Sequence, residues 1–210
     1  AFLDFYVFSA AKYAIDARMN DAASGYFNLI FMPTSVIYMV ANFVIRPFLT
    51  RLTDLWTGRD YDCFKKELMR IGAIILGLTV LAVGATAILG KWVLSVMEMI
   101  LGSGYEGRLV SYYGAFIIIV LGGGFYALAN LMYYALVIMR RQKAIFTVYL
   151  AAAAAAAVLS GFLVSKFGIN GAAGCYLLLM IGLVIGFGLH TAGAYQSEKK
   201  ENAGNGGSNT

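Results

Sequence analysis

Few residues in this chain are equipped for chemistry, and those few sit in apolar surroundings. Asp4 interrupts the run AFLDFYVF, and Lys12, Asp16 and Arg18 follow in KYAIDAR. An ionisable side chain inside an apolar segment is costly, so each has a functional reading by default. Asp4 reads as an ion-coupling carboxylate facing a watery cavity; the plainer reading puts it near a membrane end. Lys12 and Arg18 offer positive charge to a phosphate-bearing substrate. Their plainer reading is a solvated helix end paired with Asp16 and Asp21, Lys12 and Asp16 being spaced i,i+4. Arg46, beside Pro47, reads as an anchor at the membrane boundary in preference to a substrate contact, and Arg140 and Arg141 of RRQK (140–143) as further topology anchors. His190, the single histidine, reads as interfacial, ahead of a proton-relay role.

Nothing else suggests catalysis. No Ser/His/Asp or Cys/His set shares a face, and no GxxxxGK[ST] phosphate loop is present. The glycines at 102–107 and 122–124 follow no strand, which removes a dinucleotide-binding reading. No Cys/His cluster has metal-ligand spacing, so neither a metal nor a cofactor is expected and the chain is not read as an enzyme. Cys63 and Cys175 fall on opposite sides of the expected topology, too far apart for a disulfide. Asn42 and Asn130 lie inside apolar segments, where a buried amide needs a partner; hydrogen bonding between helices is the expectation. The pairs Tyr112-Tyr113 and Tyr133-Tyr134 fit an aromatic belt, with stacking on a sugar ring the weaker alternative.

The elements that must position these residues are membrane helices. The 210 residues are 60% hydrophobic and only 13% charged, whereas soluble domains run near 45–50% apolar and about 25% charged. The net charge of +5 follows the accumulation of Lys and Arg on the cytoplasmic side and does not indicate nucleic acid.

About twenty apolar residues cross a bilayer core of about 30 Å. By that measure the chain reads as all-α: a polytopic bundle with five complete transmembrane helices plus one truncated. The spans fall at about 1–17, 26–47, 70–90, 109–139, 144–165 and 172–192. The first begins inside an apolar run with no initiator Met and reads as the remainder of a longer helix.

Residues 48–69 read as a cytoplasmic interfacial helix hairpin, broken at Gly58, with Asp60 capping its second arm and Trp56 at headgroup depth. Residues 91–108 read as a short amphipathic helix on the outer interface, ending in a turn at Gly102, Gly104 and Gly107. Gly122-Gly123-Gly124 allows close approach or a kink, Ala151 to Ala157 a smooth packing face, and Gly182 and Gly186 a GxxxG contact. Residues 193–210 read as a disordered cytoplasmic tail. The side holding 48–70, RRQK and the tail carries most of the Lys and Arg, which sets the orientation.

The order of several short motifs resembles the polysaccharide-biosynthesis flippases of the multidrug/oligosaccharidyl-lipid/polysaccharide exporter superfamily. The motifs are KYAID, Gly25-Tyr26-Phe27, Arg46-Pro47-Phe48-Leu49, Asp60-Tyr61 with Phe64-Lys65-Lys66, Leu101 to Tyr105, and KFGINGAAG at 166–174. The resemblance covers the chain to about residue 192. It implies a two-lobe transporter of which this chain is the C-terminal six-helix lobe, with an N-terminal lobe as partner. It further implies flipping of a lipid-linked oligosaccharide across the inner (cytoplasmic) membrane by alternating access, for O-antigen or exopolysaccharide assembly. A polysaccharide polymerase, glycosyltransferases and membrane lipids would be neighbours. The alternatives are a cation-coupled drug or metabolite antiporter of the same superfamily and a non-transport membrane subunit.

Overall fold

The computed structural model describes residues 2–101 and 109–206, and these are helical apart from short turns. Helix α1 spans Phe2–Arg18, α2 Asp21–Thr57, α3 Tyr61–Leu101, α4 Tyr113–Ile138 and α5 Gln142–Gly206, with a single 3-10 turn at Val110–Tyr112. Among the described residues, four helical stretches are long and apolar enough to cross a membrane: Asp21–Thr57, Tyr61–Ile100, Val110–Ile138 and Gln142–Lys200. This is therefore an all-helical membrane protein.

The last stretch is two helices. Gly168 leaves helical dihedrals at φ 56° and ψ −133°, a backbone state open to glycine and hardly to any other residue. The chain folds back there. Tyr149 and Phe187 meet edge to face with ring centroids 5.1 Å apart, and a Cβ on Gly186 would meet Val148 at 2.8 Å. These partners lie about equally far on either side of Gly168, so residues 142–167 and 169–206 form an antiparallel pair of arms.

The other neighbours fix a consistent up-and-down order. Phe8 packs on Phe31 across the Met19-Asn20 turn, where the Asn20 side chain accepts from Ala23 N–H at 3.0 Å and caps α2. α3 and α4 run antiparallel, with the Tyr113 hydroxyl donating to the Ala87 carbonyl at 2.6 Å. α4 lies at the centre of the bundle. Its glycines act through close approach: a Cβ on Gly122 would strike the Tyr176 ring at 2.7 Å, and one on Gly124 would strike Thr79. Small residues let helix backbones pack where lipid supplies no hydrophobic drive. Of the GxxxG pair, Gly186 makes such a contact and Gly182 does not.

The described residues correct several expected boundaries. α2 does not stop at Arg46-Pro47 but runs through both Pro33 and Pro47 to Thr57. An interior proline costs about 3 kcal/mol; burial of Ile45 and Leu52 against Phe64, Leu68 and Ile71 opposes that cost. The hairpin at 48–69 is thus the joined ends of α2 and α3. Its turn falls at Gly58, as expected, and the left-handed residue in it is Arg59 (φ 60°). Asp60 does cap α3, accepting from Cys63 N–H at 3.2 Å.

The amphipathic segment from Lys91 is likewise the end of α3, continuous to Leu101. Glu98 is buried there and accepts from Val110 N–H at 3.0 Å. The Gly102–Gly107 turn and the Leu101–Tyr105 motif fall outside the described residues or at their edge. The tail expected to be disordered is helical to Gly206. Contacts hold it as far as Lys199: Tyr195 donates to Asp62 at 2.9 Å, Lys199 pairs with Asp62 at 2.6 Å and Arg141 pairs with Glu198 at 3.2 Å.

Candidate functional site: a polar groove along α1 and α2

Two adjoining hollows share Tyr38 and together run along α1 and α2. One, of about 470 Å³, is lined by Asp4, Phe8, Ser9, Lys12, Asn28 and Tyr126 among others. The second, of about 430 Å³, is lined by Tyr38, Met39, Asn42, Phe43, Arg46 and Tyr134. The helical period builds this stripe. At 100° per residue, Asn28, Ser35, Tyr38, Asn42 and Arg46 fall within about a quarter of the circumference of α2. Asp4, Ser9, Lys12 and Asp16 supply the facing edge from α1.

Asp4 is held from two other helices. Its Oδ1 accepts from the Tyr149 hydroxyl at 3.0 Å and from the Tyr126 hydroxyl at 3.2 Å. The groove floor is aromatic, with Phe8 against Tyr126 at 4.9 Å and Tyr38 against Tyr126 at 5.2 Å. Tyr126 is thus shared between the floor and the carboxylate, which couples its orientation to the charge on Asp4.

Below them lies an amide network. Asn130 Nδ2 donates to Asn42 Oδ1 at 3.3 Å, Tyr134 OH lies 3.5 Å from the same oxygen, and Asn42 Nδ2 donates to the Tyr38 carbonyl at 2.9 Å. The expected hydrogen bonding of Asn42 and Asn130 between helices is present. Tyr133 is engaged inside the bundle, with Tyr149 and Phe187, while Tyr134 lines the second hollow.

The two cations proposed from the sequence part company. Lys12 lines the groove, with its ammonium 4.8 Å from the centroid of the Phe31 ring. Its i,i+4 neighbour Asp16 instead accepts from Ser24, and no Lys12–Asp16 ion pair is among those of the described residues. Arg18 lies outside the groove, its guanidinium against Gly161 of α5, where a Cβ would meet Nη2 at 2.7 Å. Arg46, read as an anchor in preference to a substrate contact, lines the second hollow. Arg140, Arg141 and His190 sit together in a separate hollow between the arms of α5.

The sequence reading missed Tyr38 and Tyr126 in the groove and Tyr149 behind Asp4, among others. For Tyr38 the signal was available: the polar positions 28, 35 and 42 recur every seven residues, two helical turns. For Tyr126 and Tyr149 it was not, because their partner Asp4 lies more than a hundred positions away. No group of three or more His, Cys, Asp or Glu among the described residues is placed to hold a metal ion. Cys63 is exposed and Cys175 buried, both free, and the Asp60 carboxylate beside Cys63 pushes its thiol pKa up, away from a reactive thiolate.

The chain matches no protein-family model, no curated protein and no solved structure. Fold and groove together define a membrane helix bundle with a polar groove along α1 and α2.

Proposed function

We propose that this chain is one lobe of a membrane transporter that flips a lipid-linked oligosaccharide by alternating access. The observation that carries the reading is the polar and aromatic groove along α1 and α2, with Lys12 in its first hollow and Arg46 in its second. A pyrophosphate-linked sugar cannot enter hydrocarbon bare, because burying an unpaired charge is prohibitive. Cations at two depths of one groove replace the phosphate's water at successive positions. Tyr38, Phe8 and Tyr126 offer flat apolar faces to sugar rings, while the lipid tail stays in the bilayer. A second lobe facing the groove would complete the cavity and rock against this one.

In this reading the six helical segments are five complete spans preceded by the shorter α1. By chain position five of the sixteen basic residues (Lys12, Arg18, Lys91, Arg108 and Lys166) lie toward one end, leaving eleven at the other. That majority end faces the cytoplasm of an inner membrane, and the tail with it. The chain acts with lipid-linked glycan and glycan-assembly enzymes as neighbours and performs no covalent chemistry itself.

The test is the protein of the full reading frame in liposomes, with fluorescent lipid-linked oligosaccharide on one leaflet. Lys12→Gln and Arg46→Gln are each expected to slow appearance on the other leaflet at least tenfold, and Arg18→Gln to leave it within twofold. Equal rates for Lys12→Gln and wild type would refute the groove as the path.

A second reading, cation-coupled antiport of a drug or metabolite, is favoured by Asp4, a carboxylate oriented by two tyrosines at the groove wall. It predicts dye export that needs a Na⁺ or H⁺ gradient and vanishes in Asp4→Asn.

A further inference from the structure

A second polar hollow lies away from the groove, at the inner end between the two arms of α5. It encloses about 750 Å³ and is lined by Arg140, Arg141, Lys143, Thr147, His190 and Ser197. We infer that it binds the phosphate headgroup of an anionic phospholipid.

The charges are arranged for that ligand. Arg141 is engaged by Glu198 at 3.2 Å, which occupies that carboxylate. Among the described residues no carboxylate pairs with Arg140 or Lys143, so their charges are left to the hollow. The two hydroxyls donate to their own helix, Thr147 to the Lys143 carbonyl at 2.9 Å and Ser197 to the Gly193 carbonyl at 3.0 Å. Recognition therefore falls to two cations, the His190 ring and the first turn of α5, whose N-terminal amides favour an anion.

The backbone sets up the test. α2 and α4 end in the same motif: Arg59 N–H bonds the Trp56 carbonyl and Asp60 N–H the Leu55 carbonyl, as Arg140 bonds Val137 and Arg141 bonds Leu136. In that motif the left-handed residue is usually glycine. Here it is Arg140, at φ 57°. Arg59 has the same conformation away from the hollow, so the turn marks no ligand by itself, but it lets Arg140 be exchanged for glycine without strain.

The surroundings distinguish a lipid from free phosphate. Leu189 lines the hollow and is 70% exposed, and Phe146, Leu150 and Ile185 continue an exposed apolar surface along both arms. A phosphate seated at the basic end would have its acyl chains lie on that surface. Basic pockets between membrane helices on the cytoplasmic side take headgroups in this way.

The experiment uses the purified chain in neutral detergent, titrated with phosphatidylglycerol and followed by native mass spectrometry and thermal unfolding. Phosphatidylcholine and inorganic phosphate serve as separate arms. Phosphatidylglycerol is expected to bind and raise the melting temperature, and the other two to do neither. Arg140→Gly and Lys143→Gln should each weaken phosphatidylglycerol about fivefold, the worth of one basic residue at a membrane surface. Arg140→Gly suits the backbone at φ 57°, so the fold is kept while the charge is lost. Lys166→Gln, a basic residue at the far end, should change nothing. Wild-type affinity in both Arg140→Gly and Lys143→Gln, or an equal loss in Lys166→Gln, overturns the site. Equal binding of phosphatidylcholine overturns headgroup recognition, and an equal shift from inorganic phosphate overturns the lipid assignment.

Discussion

Asp4→Asn removes one charge from the groove and leaves a side chain of the same size. In the native protein Asp4 Oδ1 accepts from Tyr149 at 3.0 Å and from Tyr126 at 3.2 Å. A hydrogen bond to a charged group contributes about 1.5–3 kcal/mol, against about 0.5–1.5 for a neutral one. The amide oxygen keeps both bonds in neutral form, so Asp4→Asn should cost roughly 1 kcal/mol per bond, about 2 in all. Asp4→Leu leaves both hydroxyls without their acceptor. Tyr126 is only 8% exposed, so its unpaired hydroxyl alone adds about 1–3 kcal/mol.

The assay is reversible unfolding in mixed dodecyl-maltoside and SDS micelles, run as a double-mutant cycle with Tyr149→Phe. Residues sharing one network are non-additive by about 0.5–3 kcal/mol, and a coupling of about 1–2 kcal/mol is expected for Asp4 with Tyr149. Additivity within about 0.3 kcal/mol, together with a neutral Asp4→Asn, would show that the carboxylate is not held by the tyrosines. The second reading of function would lose its support with it.

Other perturbations test the frame around the groove. Gly124→Ala drives a methyl into Thr79 and should destabilise by about 1–3 kcal/mol; Thr79→Ala in the same chain should recover most of that loss in the same unfolding assay. Gly168→Ala forces a Cβ onto φ 56° and ψ −133°, with an expected loss of about 1–3 kcal/mol and weaker cross-linking between cysteines placed at 148 and 186. Arg59→Gly relieves a left-handed arginine at φ 60° and should stabilise by about 1 kcal/mol. At the tail, hydrogen bonds from Lys199 and Tyr195 hold the Asp62 carboxyl below its ordinary value, and Lys199 is raised by the same contact. The latch is thus complete between the two ordinary values, fails as pH drops through the depressed Asp62 value, and fails again as pH rises through that of Lys199. Hydrogen exchange of residues 193–206 should follow that profile, and Asp62→Asn should raise exchange at neutral pH.

How much of this was legible in the sequence differs between the helices and their ends. Apolar length alone identifies the helical stretches that match the structure, because a membrane helix is specified by composition over many residues. The ends were not legible. Pro47 and the basic residues after it look like a stop, yet α2 continues, because Ile45, Leu52 and Phe64 are buried together at the far end of the hairpin. That is a tertiary effect, invisible to local pattern. The tail misled for the same reason: Gly, Asn and Lys suggest disorder, but Tyr195 and Lys199 find Asp62, more than 130 positions earlier. In the groove, Asp4 and Lys12 stood out as charges in apolar sequence. Arg18 stood out equally and lies elsewhere, since one helix face cannot be chosen from a single helix whose neighbours are unknown.

The distribution of exposed side chains gives the groove its meaning. α3 presents Leu76, Val80, Leu81, Ile88 and Leu89 outward, a surface with no ionisable residue between Arg70 and Lys91. The arms of α5 present Leu150, Val158, Phe162, Leu178 and Ile185. Such surfaces match hydrocarbon and ask for nothing more. The flank of α1 and α2 is different, because exposed Phe5, Met39 and Phe43 alternate there with Asp4, Lys12, Asn42 and Arg46. Lipid cannot solvate those polar groups, and isolated charge at bilayer depth is costly. A flank of that composition requires water, a second protein surface or a polar cargo beside it. A cavity closed by a second lobe supplies all three in turn, which is why the transporter reading rests on this flank.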